Sequence, residues 1–112
     1  MRVSHVHCQV RDLTAAARWF EQVLQATPVF NNERMAWLGF GEVGVILDAA
    51  LIDSTVTIGF DSEDCDADFR TLTGRGGESS AAPQDRPWGA RSAYIKGPGG
   101  LTIEIEQVLT RT

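Results

Sequence analysis

Sliding the chain against itself by 50 residues sets Val6-His7-Cys8-Gln9-Val10 on Val56-Thr57-Ile58-Gly59-Phe60. Both runs are apolar at every second position, the mark of a strand with one buried face. Each is followed by an acidic or hydroxyl cap and then a helical stretch. With small length changes, Val43-Gly44-Val45-Ile46-Leu47-Asp48 falls on Leu101-Thr102-Ile103-Glu104-Ile105-Glu106. The repeated unit is therefore strand, helix and about three strands, used twice. This predicts an α+β fold built from two βαβββ modules, the first over about residues 1–52 and the second over about 53–112 of a single domain.

Helical spacing places the first helix. Leu13, Ala16, Ala17, Phe20 and Leu24 make one apolar stripe, with Asp12 as N-cap and an end before Pro28. In the second copy Cys65, Phe69 and Leu72 form the stripe, and Gly74, Gly76 and Gly77 stop it. The acids between Ser62 and Asp68 read as a solvated cap at the positive end of that helix. Strands are expected at about 3–10, 28–32, 35–41, 43–49, 55–61, 78–83, 90–97 and 101–108, with turns at Gly41-Glu42 and Gly97-Pro98-Gly99-Gly100. The stretch from Ser79 to Gly89, with Pro83 and Pro87, is the least regular part and reads as a mobile loop.

Alternation also assigns faces. Val6, Cys8 and Val10 face the first helix, which leaves His5, His7 and Gln9 on the other side. Val56, Ile58 and Phe60 pack on the second helix, with Thr55, Thr57 and Gly59 opposite. Ala93 and Ile95 pack while Ser92, Tyr94 and Lys96 point away, and Ile103 and Ile105 pack while Thr102, Glu104 and Glu106 point away. Two readings of these polar faces stay open: a solvated sheet surface, or a cleft made by a sheet that curls.

Charge and composition remove several classes. Fifteen acids stand against ten bases, a formal net charge of −5, and no basic stripe is visible, so a nucleic-acid partner is not expected. No apolar stretch is long enough for a bilayer span, and no membrane partner is expected. No basic-then-apolar leader opens the chain, which leads to the expectation of a cytoplasmic protein with Cys8 and Cys65 as reduced thiols. Gly74-Arg75-Gly76-Gly77 follows a helix rather than opening one, so it is not a phosphate loop.

The opening His5-Val6-His7-Cys8-Gln9-Val10-Arg11-Asp12-Leu13, with Ala17-Arg18-Trp19-Phe20 and Val23-Leu24, resembles the start of the vicinal oxygen chelate superfamily. That group holds glyoxalase I, bleomycin-resistance proteins, fosfomycin-resistance enzymes and extradiol dioxygenases. Arg86-Pro87-Trp88-Gly89-Ala90-Arg91 and Gly97-Pro98-Gly99-Gly100-Leu101-Thr102-Ile103-Glu104 resemble the bleomycin-resistance signature at the end of the chain. The resemblance implies paired βαβββ modules forming curled mixed sheets with helices on the convex side, assembled as a homodimer. It also implies a metal-ligand pattern in the metal-dependent members: a histidine on the first strand, a glutamate on the fourth, a histidine on the fifth and a glutamate on the eighth. His5 matches the first position and Glu104 the last, while the fifth-strand position falls on Thr55. The internal repeat puts Ile46 at the fourth-strand position, and another register would put Asp48 there. A catalytic zinc keeps three protein ligands and an open position, so His5 and Glu104 are an incomplete set. No cofactor is expected, with a divalent metal left open.

The candidate ligand-binding residues are His5, His7, Gln9, Trp37, Thr55, Trp88, Arg91, Tyr94 and Glu104. Glu104 has three roles to choose among: metal ligand, base, or ion-pair partner of Arg91. Three functions compete. One is a small-molecule-binding protein of the glyoxalase/bleomycin-resistance type without a complete catalytic metal site. The second is a metal-dependent lyase, isomerase or dioxygenase acting on vicinal oxygens. The third is a small dimeric interaction module whose cleft is vestigial.

Overall fold

A computed structural model describes residues 5–109. Contacts divide the chain into two compact units. One runs through Val56 and takes in Pro98–Leu101; the other holds Thr57–Gly97 and the chain from Thr102 onward.

The first unit contains β1 (His5–Val10), α1 (Leu13–Val23), β2 (Thr27–Asn31), β3 (Met35–Phe40) and β4 (Val43–Ala49). Its sheet runs in the order β1-β4-β3-β2, with β1 parallel to β4 and the other pairs antiparallel. Asp12 caps α1 through its Oδ1, which accepts from the Ala15 N–H at 3.0 Å. The helix ends when Gln25 turns to φ +56°, ahead of Pro28. Ala16, Phe20 and Val23 are its buried residues. Val23 therefore takes the place on the stripe that spacing alone assigns to Leu24. They meet a core that includes Cys8, Val10, Ala36, Leu38, Val45 and Leu47.

The second copy comprises β5 (Val56–Asp61), α2 (Cys65–Gly74), β6 (Glu78–Arg86), β7 (Ala90–Lys96) and β8 (Leu101–Val108). Its sheet order, β5-β8-β7-β6, repeats that of the first. Asp64 caps α2 by accepting from the Ala67 N–H at 3.0 Å. Cys65, Ala93, Ile95, Ile103 and Ile105 are buried. Burial raises both thiols, so they stay protonated; Asp48 adds to the effect at Cys8 and Asp66 at Cys65.

The two-module α+β architecture is the one expected from the repeat. Two local readings change. The stretch from Ser79 to Gly89, read as a mobile loop, is mostly strand, since β6 runs to Arg86. It escapes the alternation rule because two register shifts interrupt its pairing with β7, and Pro83 is tolerated because β6 is an edge strand. Thr55 stands just ahead of β5 rather than within it. The expected first residues of β1, Val3 and Ser4, lie outside the described residues. No helix among the described residues is long and apolar enough to cross a membrane.

Candidate functional site

Registers decide which polar residues share a face. In the first unit His5 pairs with Gly44, His7 with Ile46 and Gln9 with Asp48, while Trp37 pairs with Ile46 and Met35 with Asp48. All of these lie on the side of the sheet away from the buried Cys8, Val10 and Leu38. Trp37 reaches over Gly44, where any Cβ would run into the indole nitrogen. The His5 ring stands 6.0 Å from the indole and 5.2 Å from the His7 ring. Between His7 and Trp37 sits Ile46, only 4% exposed. A crevice of about 440 Å³ opens beside this group, lined by His5, Val29, Trp37, Glu42, Val43 and the glycines at 39, 41 and 44. That volume lies within the range of small-molecule sites.

His7 Nδ1 is 2.7 Å from Asp48 Oδ2, and this pair is largely exposed. Asp48 also resolves the fourth-strand question. Asp48 stands against Gln9, whereas Glu104 stands against Gly59, its Oε1 3.4 Å from where a Cβ of that glycine would be. Gly59 is the repeat counterpart of Gln9. Asp48, not Ile46, is thus the counterpart of Glu104. The two turns differ in length, with Phe40 paired to Val43 across one and Lys96 to Thr102 across the other, and the length changes allowed in the sequence repeat left the last strands two residues out of register.

In the second unit, Glu104 Oε2 accepts from the Tyr94 hydroxyl at 2.9 Å. Arg86 lies over the Tyr94 ring, 5.6 Å from its centre. Its Nε donates to Ser92 Oγ at 2.8 Å and its Nη1 to Gln84 Oε1 at 3.2 Å. Ser92, 0% exposed, is thereby the buried polar residue that alternation assigns to an outer face. Arg91 sits on the opposite side of β7 from Tyr94 and binds Asp66 at 3.0 Å and Asp85 at 2.9 Å. Glu104 therefore has Tyr94, not Arg91, as its bonded neighbour. Trp88, 62% exposed, projects from the turn between β6 and β7. Gln9 holds the following linker through its backbone N–H, which donates to Ser54 Oγ at 2.9 Å, and Thr55 is exposed. Sequence reading did not single out Arg86 as a site residue; it ends the edge strand β6 opposite Ala90 and reaches Ser92 two residues along β7.

The structure thus groups His5, His7 and Trp37 with Asp48 in the first unit. Tyr94 and Glu104 are grouped with Arg86 in the second. Among the described residues no three His, Cys, Asp or Glu side chains gather closely enough to hold a metal ion. Asp48 is engaged by His7, and the fifth-strand position carries threonine.

The Tyr94 hydroxyl is held above the usual tyrosine range, first by its donation to Glu104 and then by desolvation. A raised value in the folded state means that the folded chain holds this proton more tightly. The stabilisation is then full below pH about 10 and is lost as pH climbs through the folded value. Tyr94 is the single tyrosine of the chain, so phenolate absorbance reports it alone. Its midpoint is expected above pH about 10 in the folded protein, moving down toward that value in Glu104→Gln. Equal midpoints in the two proteins would remove the Tyr94–Glu104 bond from the site.

The family model described as the Glyoxalase/Bleomycin resistance protein/Dioxygenase superfamily matches residues 2–105. No curated protein matches the chain. Solved structures similar to it include a glyoxalase/bleomycin resistance protein/dioxygenase from Nocardioides, 22% identical, with a TM-score of 0.89 over 100% of this chain and 86% of that one. TioX from Micromonospora sp. ML1 is 20% identical, with a TM-score of 0.82 over 97% of this chain and 100% of its own. A lactoylglutathione lyase from Agrobacterium tumefaciens is 16% identical, with a TM-score of 0.81 over 95% of this chain and 92% of its own. At these identities the likeness is one of fold.

Proposed function

The chain belongs to the glyoxalase/bleomycin resistance protein/dioxygenase superfamily, and from that premise we propose that it binds a small, flat, amphipathic molecule without a resident catalytic metal. The observation that carries this reading is the Trp37 indole laid over Gly44 beside the His5 ring, at the edge of a crevice of about 440 Å³. An aromatic face with nearby polar groups suits a planar ligand, because stacking supplies contact area and the imidazoles supply direction. His5, His7 and Gln9 orient the ligand on this face. Thr55, exposed just ahead of β5, is a further candidate contact in the first unit, and Tyr94, Glu104 and Trp88 are candidate contacts of the second unit by itself. Arg91, neutralised by two aspartates, serves the fold more than the ligand. The protein acts as a homodimer in the cytoplasm.

A second reading has one observation in its favour. The His7–Asp48 contact at 2.7 Å is the arrangement by which a carboxylate orients an imidazole for acid–base work or for a metal. A metal-dependent lyase, isomerase or dioxygenase would use it.

Elemental analysis of protein purified without chelator, together with a thermal-shift panel of planar compounds, separates the two. The binding reading expects no stoichiometric metal. It also expects ligands that raise Tm in the parent protein and bind roughly 10-fold or more weakly to Trp37→Ala, as for loss of an aromatic anchor. One equivalent of zinc, nickel, manganese or iron lost in His5→Ala would replace it with the metal-dependent reading. A panel without any shift, in protein that also holds no stoichiometric metal, would sink both.

A further inference from the structure

The second unit contains two half-buried arginines, and they are treated differently. Arg91 faces Asp66 and Asp85, so its charge is matched twice. Arg86 is bonded to neutral groups: the Ser92 hydroxyl at 2.8 Å, the Ser92 carbonyl at 3.4 Å and the Gln84 amide oxygen at 3.2 Å. Among the described residues no carboxylate forms an ion pair with it. In a chain with 15 acids this is a local arrangement rather than a shortage of partners. Asp85, its immediate neighbour, points to the other face and bonds Arg91.

Three of the five guanidinium donors are thus occupied, leaving one N–H on each terminal nitrogen. Ser92, which holds two of the three, is 0% exposed and sits in the middle of β7, so the guanidinium is anchored to a rigid strand. The Tyr94 ring lies against the guanidinium at 5.6 Å, and that ring's hydroxyl is fixed by Glu104. The guanidinium is therefore oriented before any ligand arrives, which lowers the entropic cost of binding. A planar fork with a pair of free donors matches a carboxylate in shape and charge.

We propose that Arg86 is an anchor for an anionic, carboxylate-bearing ligand, with Ser92 and Gln84 as positioning residues. The site belongs to the second unit and does not depend on the reading of Trp37.

Benzoate is a suitable probe, and benzamide, its neutral isostere, the control. In NMR titrations of the full chain, benzoate is expected to shift the Arg86 side-chain Nε–H resonance saturably, and benzamide is not. Arg86→Gln should weaken benzoate binding roughly 10- to 100-fold, the loss of a charge-assisted contact, with Arg86→Lys in between because it keeps charge but not the fork. Ser92→Ala should weaken it less, since the charge remains while its support is lost. Trp37→Phe should leave the benzoate response unchanged, which separates this site from the one at Trp37. Absence of a saturable shift in a parent protein with native circular dichroism, equal response to benzamide, or unchanged affinity in a folded Arg86→Gln would overturn the proposal.

Discussion

Phe20→Ala is expected to cost about 3–5 kcal/mol, the usual range for emptying a fully buried aromatic site. Phe20 is 0% exposed and projects from the middle of α1 into the core of the first unit. Its ring meets Phe40 edge-to-face at 6.2 Å and Trp19 at 5.5 Å, so truncation removes two aromatic contacts as well as buried area. The neighbouring buried residues, Ala16 on the helix and Ala36 on the sheet, are too small to fill the cavity. At roughly 4 °C per kcal/mol, Tm should fall by about 12–20 °C. Phe20→Leu keeps most of the volume and should cost about 1–2 kcal/mol. Urea unfolding of the two variants checks both values. A Phe20→Ala loss no larger than that of Phe20→Leu would mean that α1 is not packed as described.

Gly100→Ala is expected to be nearly as damaging, though it adds one methyl group. A Cβ there would run into the Ser54 carbonyl oxygen and lie 2.9 Å from the Ser54 carbonyl carbon. These are backbone atoms and cannot swing aside. The Asp53–Ser54 linker is tied to the end of β1 by the Arg11 N–H donating to Asp53 Oδ1 at 2.9 Å and the Ser54 N–H donating to the Gln9 carbonyl at 2.9 Å. The added atom therefore forces strand and linker apart, at about 2–4 kcal/mol, at or above the top of the range for overpacking. Gly41→Ala makes the control. Gly41 has φ +61° with nothing within 4 Å of a Cβ, so only the left-handed backbone is penalised, by about 1–2 kcal/mol. Equal losses for the two substitutions would show that backbone conformation, rather than the close approach to Ser54, governs Gly100.

That contrast shows where local sequence stops being informative. Gly41 and Gly100 both read as turn residues, and in sequence nothing distinguishes them. Gly41 answers to local backbone geometry. Gly100 answers to a linker about 45 residues earlier in the chain.

The candidate site divides in the same way. That His5, His7 and Gln9 share a face follows from alternation, since a strand has no other way to dispose successive side chains. The same rule correctly buries Cys8, Val10, Ala93, Ile95, Ile103 and Ile105. Alternation cannot show which residue of a neighbouring strand lies alongside. For that reason Asp48 was displaced by Ile46 in the sequence repeat until the β1–β4 register fixed its place beside Gln9. Arg86 went unnoticed for a related reason. Its two bonds to Ser92 form only because β6 turns back on β7, and the shifts in that pairing leave no periodic trace.

The residue order by itself determined the duplicated strand–helix–strand plan, the helix cap at Asp12, and the inward and outward faces of the regular strands. These depend on interactions between residues a few positions apart, where geometry is set by covalent connection. Tertiary structure alone decided the partner of each polar side chain: Asp48 for His7, Tyr94 for Glu104, two aspartates for Arg91, and for Arg86 the neutral Ser92 and Gln84 with no carboxylate among the described residues. Turn lengths and strand bulges set those pairings, and a change of one or two residues in either moves a side chain to a different neighbour without altering the pattern along the strand.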